Sequence, residues 1–523
     1  LSTSSLRLGI DFGTTRTVVA YSDRGNYPVA SFLDDAGDAV DWFPSVVAAR
    51  GGELRYGFEA LALSGDPSWT VLRSFKRLLS DPGVTPGQAT RIGDRDYLLG
   101  DLLTGYLLAL KRALAATSGR ADELLGPLEV VVATPAHALG PQRFLTIDAF
   151  RRAGFTLRAL LNEPSAAGFE YSHRYQRTLS SQREHVLVYD LGGGTFDASL
   201  VKMSGLHHDV VRTGGDALLG GDDFDDLLVG LVLGALGLEA SALSPRQRVL
   251  LRERARDAKE RLNPNSRRVV VDLADVGLAE PEVTIPLASY FDQCLPLVER
   301  TLEAMRPVLT RGSSFEQALE ELAGVYVVGG ASALPVVSRR LKETFGRRVH
   351  RSPYPSAAVA IGLAIAADET AGFELTDRLS RVFGVFREAA NGHDVWFDTI
   401  FGREEAIPVQ LSEGPRIKRE YRAAHNVGRY RFIETTELDA LGLPHLHLEA
   451  VGEVAFPFDP RLRRPGVDLK SVPIHRLSGR GPWIREEYSV TPLGLVEVAV
   501  TDVDTGFARR YTLGAGGHEL EAL

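Results

Sequence analysis

The chain has 523 residues, room for roughly three domains or large lobes at about 150 residues each. An apolar share of 44% and a charged share of 24% are those of a soluble globular protein, and a net charge of −9 leaves no basic surplus of the kind that points to nucleic acid. A single cysteine, Cys294, excludes an intrachain disulfide and fits a reducing compartment.

Residues 1–5 show no leader pattern of charge followed by an apolar run. The longest uncharged apolar run, 227–238, is shorter than the about 20 residues that span a bilayer, so it reads as a buried helix. A cytoplasmic protein without membrane or nucleic-acid partners is the expectation. Leu6, Leu8 and Ile10 alternate with other residues and form a strand leading into Asp11; a second strand follows at 17–21. Residues 128–133 read as a buried strand closed by Thr134-Pro135, with a helix over 142–153. Further strands lie at 186–189, 198–202 and 325–328, and further helices at 246–262 and 357–368. Strands alternating with helices predict an α/β architecture up to about residue 371. An acidic stretch, 368–377, reads as the linker. Beyond it the texture changes: 395–401 and 495–501 are strand-like, Val496, Val498 and Val500 share one face, and Pro and Gly recur between runs. That pattern predicts an antiparallel β-domain.

An internal repeat carries the functional argument. Asp11-Phe12-Gly13-Thr14-Thr15 closes the first strand, and Asp190-Leu191-Gly192-Gly193-Gly194-Thr195 closes another far downstream. Each turn is followed by a new strand, which predicts two similar lobes facing one ligand. A nucleoside triphosphate needs backbone N–H donors at its phosphates and carboxylates near its magnesium. Gly13, Gly192, Gly193 and Gly194 let backbone approach closely, Thr14, Thr15 and Thr195 add hydroxyls, and Asp11 and Asp190 sit at strand ends. One Asp-Gly turn alone is a common hairpin; two matched turns make that plain reading improbable. No Gly-Lys-Ser/Thr follows, so this is not a Walker loop. Gly220-Gly221-Asp222, opening a helix, and Gly329-Gly330, after a strand, are two more glycine elements of the kind that favour anions.

These residues resemble a known family. DFGTTRT at 11–17, NEPSAAG at 162–168, DLGGGTFD at 190–197, LGGDDFD at 219–225 and VVGGASALP at 327–335 are similar to the ATPase domain of DnaK-type, seventy-kilodalton heat-shock chaperones. The resemblance covers roughly 6–371. It implies a two-lobed actin-like (ribonuclease H-like) ATPase domain over residues 1–372, a linker at 373–378, and a β-sandwich-like peptide-binding domain over 379–523. The family's helical lid is expected to be missing, because the sequence stops soon after the last strand. The implied ligands are ATP or ADP with Mg²⁺ and K⁺, organised by Asp11 and Asp190. The implied phosphate contacts are Thr14, Thr15 and Thr195. Lys76 in SFKRLLS matches the family's catalytic lysine, and Glu163 and Asp197 complete the polar set with Asp190. Phosphoryl transfer is mostly positioning and charge stabilisation, which a lysine beside the γ-phosphate supplies. Pro135 and Arg143 match the family's relay between nucleotide and substrate domains. The implied partners are unfolded or extended peptides, a J-domain co-chaperone and a nucleotide-exchange factor.

At the base end the sequence departs from the family. Ala333 stands where an arginine lies against adenine, Arg256 replaces an acid, Asn263 replaces a serine, Lys259 is kept, and Arg16 replaces an uncharged residue beside the phosphate turn. Weaker discrimination for adenine is the expectation. The C-terminal section resembles the family's β-sandwich most clearly over 487–506, while 414–473 matches poorly. Two other functions fit the actin-like plan: a nucleotide-binding scaffold or adaptor with little turnover, and a small-molecule kinase, against which Lys76 and NEPSAAG speak. His207-His208 and the pair His445, His447 lack a completing ligand and read as solvated or cross-strand histidines. Arg461, Arg463 and Arg464 read as a loop surface, and Cys294 as an inert helix residue.

Overall fold

The computed structural model describes residues 6–514, apart from 82, 118–123, 125–127, 136–137, 176–178, 180–182, 311–313, 380, 390–391, 403–404, 409–413 and 447. They form two units: 1–79, 89–137 and 149–374 in the first, and 80–88, 138–148 and 375–523 in the second.

In the first unit, the alternating apolar residues of strand β1 (Arg7–Phe12) are buried, and the DFGTT turn folds β1 back onto β2 (Arg16–Tyr21). β3 (Phe43–Pro44) extends the sheet, while β4 (Leu128–Thr134) and β5 (Phe155–Asn162) add two parallel strands on the other side. The order is β5-β4-β1-β2-β3. Helix α1 (Glu163–Tyr175) follows β5 directly.

The second lobe repeats this plan. β6 (His185–Leu191) and β7 (Phe196–Ser204) form the hairpin around the triple-glycine turn, β8 (His207–Asp216) continues antiparallel, and β9 (Leu322–Val328) and β10 (Val349–Arg351) are parallel. These strands run β10-β9-β6-β7-β8, matching the first sheet position for position. The fold is therefore two-lobed and actin-like.

Three helices position the site. α2 (Gly221–Leu236) starts where the Gly220 amide donates to Asp223 (2.7 Å) and ends at Gly237, which is left-handed at φ 65°. Its run 227–238 is buried on one face only, through Leu228, Val232 and Leu233. α3 (Pro245–Glu260) has a reciprocal cap: the Ser244 hydroxyl accepts from the Gln247 amide (3.2 Å) and the Gln247 side chain accepts from the Ser244 amide (3.0 Å). α4 (Ala358–Ala367) is almost wholly buried because it is built of small and aliphatic residues. It lies against β1 and α1, so a helix from the second half of the chain is embedded in the first lobe. Contact is close: a Cβ on Gly9 would meet the Ala364 amide nitrogen at 2.2 Å, and one on Gly362 would meet the Ala166 carbonyl oxygen at 1.8 Å.

The segment 368–377 is not plain linker. It forms a short 3-10 turn, Glu369–Ala371, and then the strand Glu374–Arg378. The second unit holds two four-stranded antiparallel sheets. One is β12-β11-β14-β15, from β11 (Val382–Ala389), β12 (Asp394–Phe401), β14 (Val427–Thr435) and β15 (Glu449–Pro457); the other is β13-β16-β17-β18, from β13 (Arg416–Arg422), β16 (Trp483–Val490), β17 (Val496–Asp502) and β18 (Ala508–Thr512). Val496, Val498 and Val500 alternate into a shared core with Phe383, Val385, Phe432 and Tyr488. That core also holds a charge. Glu486 is fully buried, accepts from Arg387 (2.6 Å) and Tyr488 (2.6 Å), and is bonded by Tyr421. Arg463, read as surface from the sequence, is instead mostly buried: it pairs with Asp502, donates to Thr505 (2.8 Å) and covers the Phe507 ring.

Candidate functional site

The two Asp-x-Gly turns face each other across a cleft of ≈ 310 Å³ in the first unit. Their approach is so close that a Cβ on Gly193 would meet the Thr15 hydroxyl at 2.4 Å and one on Gly194 would meet the Thr14 methyl at 2.7 Å. Glycine is required there by distance. At Gly329 it is required by backbone as well, since φ is 85° and a Cβ would sit 2.4 Å from an Asp190 carboxylate oxygen. The triple-glycine turn is braced from behind: the Gly192 carbonyl accepts from Gly221 (2.9 Å) and that of Gly193 from Asp222 (2.8 Å).

Four carboxylates gather at the floor. Asp11 and Asp190 end β1 and β6, Asp197 lies directly opposite Asp190 in the β6–β7 ladder, and Glu163 opens α1. Lys76 is the cation among them, nearly buried, with Nζ 3.1 Å from Glu163 Oε1 and over the Phe12 ring. Burial and the neighbouring Glu163 push Asp11 up to about 7, against the pull of Lys76. Burial, Glu163, Asp11 and Asp197 likewise hold Asp190 well above the ordinary carboxylate range. A surplus of carboxylate over cation in a dry site fits a divalent ion. The donors are carboxylate oxygens, the hard ligands that Mg²⁺ takes one or two of together with water and phosphate.

The cleft is also lined by Gly221, Asp222, Arg256, Lys259, Gly329, Gly330 and Ala333. Arg256 reaches from α3 to Asp222 (2.8 Å) and Asp225 (3.2 Å), and Lys259 to Asp225 (2.6 Å) and the Gly221 carbonyl (2.8 Å). At the mouth, Arg16 lies 4.5 Å over the Trp42 ring and pairs with Glu260.

Gly13, Thr14, Thr15, Gly192, Gly193 and Thr195 line the cleft with the residues above. Gly194 packs behind Thr14, and Gly220 packs against Gly194. Asn263 does not reach the cleft; it closes the turn after α3 by accepting from the Asn265 amide (3.0 Å). Trp42, Glu260 and Arg351 line the cleft without having been singled out in the sequence, and Asp225 lines it as the last residue of LGGDDFD. No local motif marks the first three, because each arrives from a separate element. Ser74 was also unforeseen. It holds a left-handed φ of 52° two residues before Lys76, and its hydroxyl donates to Asp222 (3.0 Å).

Two matched lobes around a cleft with paired Asp-x-Gly turns define an actin-like nucleotide-binding fold. The Hsp70 protein family model matches residues 112–413, more than half of the chain, and the chain belongs to that family. It is 35% identical over 434 residues to a chaperone protein HscA homolog of Acidovorax ebreus (strain TPSY), covering 78% of this chain and 65% of that protein. A chaperone protein HscA homolog of Burkholderia pseudomallei (strain 668) is 36% identical over 389 residues, covering 70% of this chain and 59% of that protein. The chain thus matches less than two thirds of the length of these relatives.

Proposed function

We propose that the protein is an ATP-dependent molecular chaperone, in which slow Mg-ATP hydrolysis in the cleft governs binding and release of extended apolar peptides by the β-sandwich unit. The observation that carries the reading is the pair of opposed glycine turns with buried carboxylates and Lys76 between them. In this reading the turn amides and the hydroxyls of Thr14, Thr15 and Thr195 receive the phosphates. Asp11 and Asp190 would hold the metal, which when bound would supply charge neutralisation for the phosphates. Lys76, held by Glu163 at 3.1 Å, places its ammonium where charge develops on the γ-phosphate. Asp197 stands opposite Asp190 across the β6–β7 ladder. Membership of the Hsp70 family and relatives named as chaperones support the same reading. Pro135 and Arg143 are the proposed relay. Peptide recognition in a β-unit would combine backbone hydrogen bonds with an apolar pocket. A J-domain protein and an exchange factor are the proposed partners, and the cytoplasm the proposed setting.

The test is steady-state ATP turnover of the full chain with Mg²⁺, with and without an unfolded apolar peptide. Turnover stimulated by peptide is expected. Tight ATP binding with negligible turnover and no response to peptide would replace the chaperone reading with a nucleotide-binding scaffold.

A further inference from the structure

In the second unit the connection between β13 and β14, residues 423–426, crosses from one sheet to the other. The segment 470–477 lies along it, and the two stretches pair antiparallel at His425 and Arg476. The Leu477 amide donates to the Ala424 carbonyl (2.9 Å), and the Asn426 amide donates to the His475 carbonyl (3.1 Å). The Asn426 side chain holds the same backbone in both senses: its Nδ2 donates to the Pro473 carbonyl (3.0 Å), and its Oδ1 accepts from the His475 amide (2.9 Å). Arg429 donates to the carbonyls of Lys470 (2.6 Å) and Val472 (3.2 Å). All of these bonds end on main-chain atoms of the segment. Among the described residues its one ion pair is Arg476 with Glu388 of β11, a carboxylate that also lies 3.4 Å from His425. Pro473, Ile474, His475 and Arg476 are exposed, so this part of the segment adds nothing to the core. Its ends are fixed: Leu469 is buried, and the Pro482 carbonyl accepts from the Ala423 amide (3.0 Å).

We propose that Glu388, Ala424, Asn426 and Arg429 form a site for an extended peptide carrying a basic side chain, and that segment 470–477 is its resident occupant, displaced when such a peptide binds. The inference rests on the chaperone reading given above and deepens it, by placing the peptide and naming what blocks its site. A side-chain amide offers a donor and an acceptor, the same pair that a peptide bond offers, so Asn426 can hold an extended main chain of almost any sequence. Asn426 is itself buried, and its carbonyl accepts from the Phe458 and Asp459 amides (3.0 and 2.9 Å), which fixes it before a ligand arrives. Glu388 supplies the selection, for a cation in the place of Arg476. The residues in the places of His475 and Leu477 must each bring an N–H, which excludes proline there, whereas Pro473 gives only its carbonyl. The segment can leave because its middle is exposed and its anchors lie outside 470–477, so it lifts without unpairing a strand of either sheet.

The experiment is fluorescence anisotropy of the full chain with a labelled peptide of the sequence SVPIHRLS, that of residues 471–478, for wild type and Arg476→Glu. The substitution sets a carboxylate against Glu388 and loosens the segment, and circular dichroism at the wild-type level shows that the variant folds. Arg476→Glu should bind the peptide roughly 10-fold more tightly than wild type, as for a site open about a tenth of the time in the native chain. Within Arg476→Glu, replacing the peptide's arginine by alanine should weaken binding roughly 2- to 5-fold, the range of a part-exposed ion pair, and adding Glu388→Ala should abolish that difference. Three results would overturn the proposal: equal affinity in wild type and Arg476→Glu, no loss with the alanine peptide, or no binding by either protein. In each case, stimulation of ATP turnover by an unfolded apolar peptide would still uphold the chaperone reading, and its absence would remove that reading as well.

Discussion

Lys76 and His208 are both buried titratable residues, and their surroundings give them opposite characters. Lys76 sits among carboxylates, so its charge is matched and directed into the cleft. Lys76→Ala should slow single-turnover hydrolysis by about 10²–10³, as expected for one preorganised electrostatic donor, while nucleotide binding stays largely intact. An unchanged single-turnover rate would remove Lys76 from the catalytic set. His208 is fully buried between Phe169 (4.9 Å) and Phe373 (5.4 Å), and neither ring nitrogen has a hydrogen-bond partner among the described residues. Of the two readings the sequence offered, it is not solvated; it is a cross-strand histidine, opposite Met203 in the β7–β8 ladder. Burial, with His207 beside it, pulls its pKa down from 6.5 to about 4. Between those values the unfolded chain holds a proton that the folded chain does not. Stability from this group is therefore complete above pH 6.5 and is lost as pH falls toward 4, by about 3 kcal/mol at most. His208→Phe keeps an aromatic ring and cannot titrate. Its urea midpoint should fall less than that of wild type between pH 7 and pH 4.5. Equal losses would mean that other groups carry the acid sensitivity.

At the scale of elements, the crossing of α4 over α1 and β1 holds the first lobe together. The residues at the crossing are Gly9, Ala166, Gly362 and Ala364, small enough for backbone to touch backbone. A methyl group at Gly362 would meet the Ala166 carbonyl rather than a mobile side chain, so the helices must separate to admit it. Gly362→Ala should cost about 1–3 kcal/mol, the range for overpacking a well-filled interior. The check is the denaturation midpoint, with circular dichroism at the wild-type level before unfolding. A midpoint equal to wild type would show that the crossing yields without cost. The hairpins β1–β2 and β6–β7 were readable as elements because alternation and an Asp-x-Gly turn are local signals. The strand Glu374–Arg378 was not, because its sequence is acidic and its strand character comes from pairing with distant chain.

For the whole molecule, the proposed cycle requires the nucleotide state to change peptide affinity. Coupling between two sites is typically about 1–3 kcal/mol, and the low end, about 5-fold, is expected here. Fluorescence anisotropy of a labelled apolar peptide on the full chain should show weaker binding with ATP than with ADP. Linkage is reciprocal, so the same peptide at saturation should weaken ATP relative to ADP by the same factor. Peptide binding with no nucleotide effect would leave the fold intact and remove the cycle.

Lys76 and Glu163 were implied only by the resemblance to a family; the sequence alone determined the two-lobed α/β plan, the paired turns with Asp11 and Asp190, and the β-rich character of the C-terminal part. Each is written in short contiguous patterns: glycines where backbone must come close, acids at strand ends, alternating apolar residues. Only the tertiary structure decided which distant residues complete the cleft. Trp42, Glu260 and Arg351 come from three separate segments, and nothing local distinguishes them from surface or core residues of the same type. The same holds for Asn263, placed by motif at the site and turned by its loop into a backbone cap. Burial decided the chemistry too. The raised Asp11, the lowered His208 and the sequestered Glu486 take their properties from desolvation, which depends on what the folded chain places around them.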